Sequence, residues 1–141
     1  MAVAVTAVLV FSASSRAEPT RAQYLQRVAA ICRIYGPRLD RIRPPDVAEP
    51  ANVIDAVARA LPLARAQERE VRRLEPPPEL RSRLARWFRL QERRLAMLEQ
   101  ALRAGRDGDF RTLSVVYVDF ILAGPEVARL GSAIGMPHPP C

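Results

Sequence analysis

Lysine is absent from this 141-residue chain: all 22 basic residues are arginine. That excludes a Schiff-base amine and the lysine of a phosphate-binding loop. Histidine is nearly as scarce, with His138 alone near the C-terminus. One histidine cannot supply the two Glu-x-x-His pairs of a di-iron bundle. A Ser-His-Asp triad would have to be built on a proline-rich tail, and no serine stands in a nucleophile-elbow context. These absences point away from an enzyme, and no cofactor is expected. Aromatic residues make up 6% of the chain and six glycines are spread along it. No segment alternates apolar and polar residues, so the aliphatic and alanine-rich composition favours helix over strand.

The longest apolar run is short as well. Ala2 to Phe11 has about the length of a signal-peptide core and falls short of a membrane span. Ser15 and Ala17 follow with the small-x-small spacing that signal peptidase reads, which places cleavage before Glu18. No basic residue precedes the run, a pattern that also fits an uncleaved anchor. Residues 1–17 are therefore read as the leader, 18–135 as one helical domain and 136–141 as a tail. The expected localisation is secreted or at the cell envelope.

Four amphipathic segments follow. Thr20, with Gln23 three residues on, forms a capping-box pattern. The stripe Tyr24, Leu25, Val28, Ile31, Cys32, Tyr35, Leu39, Ile42 runs at helical spacing to Pro44-Pro45. A second helix starts near Pro50 to Asn52, carries Ile54, Val57, Leu61, Ala64, Val71 and Leu74 inward, and stops at Pro76-Pro77-Pro78. The third opens at Pro78 and points Leu80, Leu84, Trp87, Phe88, Leu95, Leu98 and Leu102 to one side, with Gly105 as its expected terminator. The fourth, capped by Asp107 or Asp109, carries Phe110, Leu113, Val116, Tyr117, Phe120, Gly124, Val127, Leu130 and Ile134 and ends at Gly135. Pro37, Pro62 and Pro125 lie inside helices and predict kinks. The fold class is all-α, an up-down-up-down four-helix bundle with proline-kinked helices and an extended tail.

The two cysteines, Cys32 and Cys141, test that arrangement. Cys32 lies about 18 Å along the first helix at 1.5 Å per residue. Residues 136–141 reach about 19 Å as polyproline II. Because the end of the fourth helix should lie beside the start of the first, the tail is long enough to tie Cys141 to Cys32. Met136, His138 and Cys141 are also a soft-ligand set, but a copper or haem site would need Cys141 as a thiolate, so no metal is expected. Asp107-Gly108-Asp109 has too few ligands for calcium and reads as a turn and cap.

The stretches "AAICRIYGPRLDRI" (29–42), "LEPPPELRSRLARW" (74–87) and "LGSAIGMPHPPC" (130–141) resemble a group of small exported proteins of high-GC Gram-positive bacteria. The resemblance implies export and a helical bundle, and it carries no functional residue with it.

Two surfaces offer binding chemistry. Arg86, Arg89 and Arg93 share a face of the third helix, and Arg72 and Arg73 can extend it from the second. With a net charge of +7, such a face suits an anionic envelope polymer or lipid headgroups. Interspersed glutamates also fit a solvated, ion-paired surface, and no nucleic-acid motif is present. The second surface is a pocket for a small apolar ligand beside the Pro37 and Pro125 kinks, lined by Tyr35, Tyr117 and Phe120. The expected function is a non-catalytic binding module of the envelope, with an apolar-ligand carrier as the alternative.

Overall fold

A computed structural model describes residues 18–42, 46 and 48–137. The leader, Pro44-Pro45, His138 and Cys141 lie outside the described residues. Among those described there are four α-helices and no strand: α1 (Arg21–Asp40), α2 (Pro50–Arg72), α3 (Arg81–Arg106) and α4 (Phe110–Ile134). A 3-10 turn, Pro78–Leu80, leads into α3.

The helix ends follow local chemistry. Thr20 Oγ1 accepts from the Gln23 amide at 3.3 Å, and Gln23 Oε1 accepts from the Thr20 amide at 2.9 Å, so the capping box is closed both ways. Asp109 Oδ1 caps α4 through the Thr112 amide at 3.0 Å. Gly135 stops α4 in the left-handed conformation, φ 94°, which a side chain would strain. Pro37, Pro62 and Pro125 sit inside helices. Two of the three follow a glycine, Gly36 and Gly124, which removes the Cβ that would crowd the proline ring in helical backbone.

Gly105 does not terminate α3, which runs on to Arg106. It is instead a packing glycine: a Cβ there would lie 2.6 Å from Ile54 Cγ1 and 2.9 Å from Ile54 Cδ1. The chain turns one step later, at Gly108 with φ 78°. Phe110, expected to face inward, is 49% exposed. It is the first residue of α4, and at 100° per residue it falls on the same side as the exposed Ile121.

Two apolar clusters stack along the helices. The first joins Tyr24, Val28, Ile31 and Tyr35 of α1, Val71 of α2, Leu80 of the 3-10 turn, Leu84 and Trp87 at the start of α3, Val127, Leu130 and Ile134 at the end of α4, and Met136 just past it. The second joins Val53 and Val57 of α2 to Leu95–Ala104 of α3 and Leu113 and Val116 of α4. Early α3 therefore meets late α4, and late α3 meets early α4: an antiparallel pair. α1 contributes to the first cluster only. Full burial of Tyr24, Leu80, Leu84 or Ile134 stabilises by about 1.5–3 kcal/mol each. The start of α1 is fastened to the end of α4 by a 2.8 Å bond from Arg21 Nη2 to the Ile134 carbonyl.

Candidate functional site: an arginine-rimmed groove

Three prolines shape the site. Pro76-Pro77-Pro78 cannot continue α2, and the chain turns back so that the last turn of α2 faces the first half of α3. Between them lies an open groove of about 700 Å³. Pro76, Leu84, Ala85 and Phe88 form its apolar floor, and Arg72, Arg81, Arg89, Glu92 and Arg93 form its rim. On α3, the positions 81, 85, 88 and 92 recur every three or four residues and share a face. The Arg72 guanidinium lies over the Phe88 ring, 4.6 Å from its centre, a stacking that holds a cation against an apolar floor.

The carboxylates nearby are already engaged. Glu92 Oε1 and Oε2 accept from Arg65 Nη1 at 2.9 and 3.0 Å. Arg65 also donates to Glu99 Oε1 from Nε at 3.0 Å and Nη2 at 2.8 Å, and reaches the buried Glu68 at 3.4 Å. Partial burial disfavours the charge on Arg65, but the hydrogen bonds to Glu92 and Glu99 outweigh it and raise its pKa. Arg72 pairs with Glu68, and Arg81 Nη2 with Glu18 at 2.8 Å. Arg89 and Arg93, both exposed, form no ion pair among the described residues.

Of the arginines that the sequence grouped on one face, the structure brings Arg72, Arg89 and Arg93 together at the groove. Arg86 points to α4, 3.8 Å from Glu126. Arg73 is the exposed C-cap of α2 and does not line the groove. Arg81 and the floor were missed, although the recurrence of 81 with 85, 88 and 92 was there to be read.

Of the residues expected to line an apolar pocket, Tyr117 and Phe120 stack on each other in the second cluster, while Tyr35 lies in the first. Tyr35 belongs to the first cluster, where its hydroxyl donates to Glu70. That hydrogen bond, with burial, holds the phenol above its ordinary pKa. Tyr117 and Phe120 pack against the second cluster, ring centres 5.9 Å apart and nearly parallel. Arg94 covers Phe120 at 4.4 Å, and burial lowers its pKa.

Among the described residues no group of three or more His, Cys, Asp or Glu is placed to hold a metal ion. No helix among them is long and apolar enough to cross a membrane. No protein-family model matches the chain, and no curated protein or solved structure matches it either.

Proposed function

We propose that the protein is an exported, non-catalytic binding module of the cell envelope whose groove holds a phosphate-bearing anionic partner. One observation carries the reading: the guanidiniums of Arg89 and Arg93, unpaired among the described residues, stand beside an apolar floor of Leu84, Ala85 and Phe88. An exposed arginine needs no ion pair, so it is the meeting of these cations with an apolar floor that supports the reading; a glutamate of the same rim could have cancelled their charge. Here Glu92 is turned to Arg65 instead, so the rim keeps a positive field. Guanidiniums suit phosphate oxygens through paired N–H donors, and the floor suits the glycerol or acyl portion next to such a group.

Export and a Cys32–Cys141 disulfide belong to the same proposal. Cys32 packs half-buried against the first cluster, no free cysteine occurs among the described residues, and the Arg21–Ile134 bond sets the root of the tail beside the start of α1. The disulfide would hold the last segment along α1 in an oxidising compartment.

The test is co-sedimentation of the full chain with phosphatidylglycerol vesicles, with phosphatidylcholine vesicles as control, and a parallel titration with soluble polyglycerol phosphate. Retention on the anionic vesicles alone identifies a lipid headgroup, and saturable binding of the soluble polymer identifies an envelope polymer. In either case Arg89→Glu with Arg93→Glu should weaken binding at least tenfold, and added salt should weaken it too. Binding to neither, or binding that ignores the two reversals, overturns the reading.

A further inference from the structure

Helix α4 is apolar on two sides. Leu113, Val116, Val127, Leu130 and Ile134 face the core. On the opposite side Val115, Val118, Ile121 and Leu122 are 55%, 43%, 47% and 71% exposed. At 100° per residue these four fall within about one-third of the helix circumference, so they form one stripe rather than scattered surface residues. A helix apolar on both sides is normally buried on both, and a contiguous exposed patch of this kind marks an interaction surface.

The charges around the stripe say what covers it. Arg111 and Arg129 project on the same side as Val118, at the two ends, and neither has an ion pair among the described residues. Glu126 lies at one edge, only loosely held by Arg86 at 3.8 Å. The turn before α4 carries Asp107 and Asp109. If a second α4 is laid antiparallel, with a two-fold axis between Val118 and Asp119, Val115 meets the partner's Leu122 and Leu122 meets the partner's Val115. In that same register Arg111 comes level with the partner's Glu126. Arg129 comes level with the partner's Asp107 and the partner's Asp109. A two-fold contact repeats each of these pairings, since the same patch serves both subunits. A parallel arrangement would instead set Arg111 against the partner's Arg111 and Arg129 against the partner's Arg129. The apolar pair 115/122 and the charges at both ends thus favour the antiparallel register over the parallel one, with Asp119, exposed at the edge of the stripe, level with the partner's Val118 at the axis.

We propose that a second copy of this chain covers the outer face of α4, forming an antiparallel two-fold dimer with its axis between Val118 and Asp119. The stripe offers a few hundred Å² per subunit, below the roughly 800 Å² of a standard stable interface. A contact of this size fits a transient dimer in exchange with monomer. The groove lies against α2 and α3, so dimerisation leaves it open and does not depend on the function proposed for it.

Sedimentation equilibrium of the full chain, over roughly micromolar to millimolar protein, tests this. The mass should rise from 15.7 kDa towards twice that value as concentration increases. Leu122→Asp should hold the protein at the monomer mass with its helical circular dichroism unchanged, because the position is 71% exposed. Glu126→Arg alone should weaken association about tenfold, by opposing Arg111 across the contact. Adding Arg111→Glu should restore association to within about threefold of the parent. A monomer mass throughout overturns the proposal. So does association that Leu122→Asp leaves intact, or that the double reversal fails to restore. A monomer whose vesicle binding is lost on Leu122→Asp would assign the stripe to a lipid surface instead, and equally overturns it.

Discussion

Gly105 is the position where one added methyl group should discriminate most sharply. Its Cβ would sit 2.6 Å from Ile54 Cγ1 and 2.9 Å from Cδ1, with Leu113 Cδ2 at an ordinary 3.4 Å. Carbon atoms settle at about 3.5–4.0 Å, so Ile54 or the helix backbone has to move by about 1 Å. Overpacking of this size costs about 1–3 kcal/mol. Replacing glycine by alanine inside a helix returns up to about 1 kcal/mol, and less within the last turn of α3. The net expectation for Gly105→Ala is a loss of about 1–2 kcal/mol. Ile54→Ala removes both clashing atoms and, from its half-buried site, costs about 2 kcal/mol by itself. In that background Gly105→Ala should become neutral or stabilising, a coupling of about 2 kcal/mol between the two positions. Urea unfolding of the four proteins, followed by circular dichroism, measures it. If Gly105→Ala stabilises the parent chain, or has the same effect in both backgrounds, the close approach of α2 and α3 is not what holds Gly105 in place.

Arg65→Ala should lower stability by about 2 kcal/mol in urea unfolding, since it unties Glu92 and Glu99 and leaves the buried Glu68 with Arg72 alone; a change under about 0.5 kcal/mol would show that the network contributes nothing. Arg65→Lys should recover only part of the loss, because an ammonium cannot reach both carboxylates as a planar fork does. Burial pushes the Tyr24 phenol up to about 12 from its usual 10. The unfolded chain thus ionises first, so stability should be level below about pH 10 and fall between about pH 10 and 12. Tyr24→Phe should make that fall shallower, leaving the share of Tyr35 and Tyr117, whose phenols are also raised, and an unchanged slope would contradict the burial of the hydroxyl. For the proposed disulfide, the mass of the exported chain should start at Glu18 and be two hydrogens light. Reduction should then lower stability by up to about 4.7 kcal/mol on the chain-entropy estimate for a loop of this length, and two alkylatable thiols in the native protein would refute it.

Features set by a few neighbouring residues were legible in the sequence. Thr20 with Gln23, Asp109, Gly135 and the three prolines at 76–78 mark element ends because capping and chain stiffness act within one turn. The buried stripes of α1 and α3 were legible for the same reason. What the sequence hid depends on how far helices slide past one another. Gly105 looks like a terminator locally and is explained only by Ile54 of α2. Phe110 stands three residues before the buried Leu113 and so reads as inward, but at 100° per residue it falls beside the exposed Ile121. The outer stripe of α4 is masked because Val115, Val118, Ile121 and Leu122 alternate with inward-facing residues in a largely apolar stretch broken only by Ser114 and Asp119. For the candidate groove, Arg72, Arg89 and Arg93 could be picked out by spacing, whereas Arg81 joins them through the fold-back at Pro76–Pro78. Tyr35 was grouped with Tyr117 and Phe120 on the premise that the helices bearing Pro37 and Pro125 set those two positions side by side. α1 serves the first cluster alone, so Tyr35 is kept apart from the other two.

The make-up of that first cluster governs the order in which the chain can become a protein. α1 is synthesised first, yet the residues that cover Tyr24 and Val28 include Val127, Leu130, Ile134 and Met136, which come more than 90 positions later. α3 and α4, by contrast, are joined by a tight turn and can pair as soon as both exist. The earliest helix can meet α2, the 3-10 turn and the start of α3 as they appear, through Val71, Leu80, Leu84 and Trp87, but its cover is complete only when the last turns of α4 add contacts of long sequence separation. The composition makes that delay safe in one respect: with two cysteines in the chain, an early Cys32 has only one intramolecular partner to find.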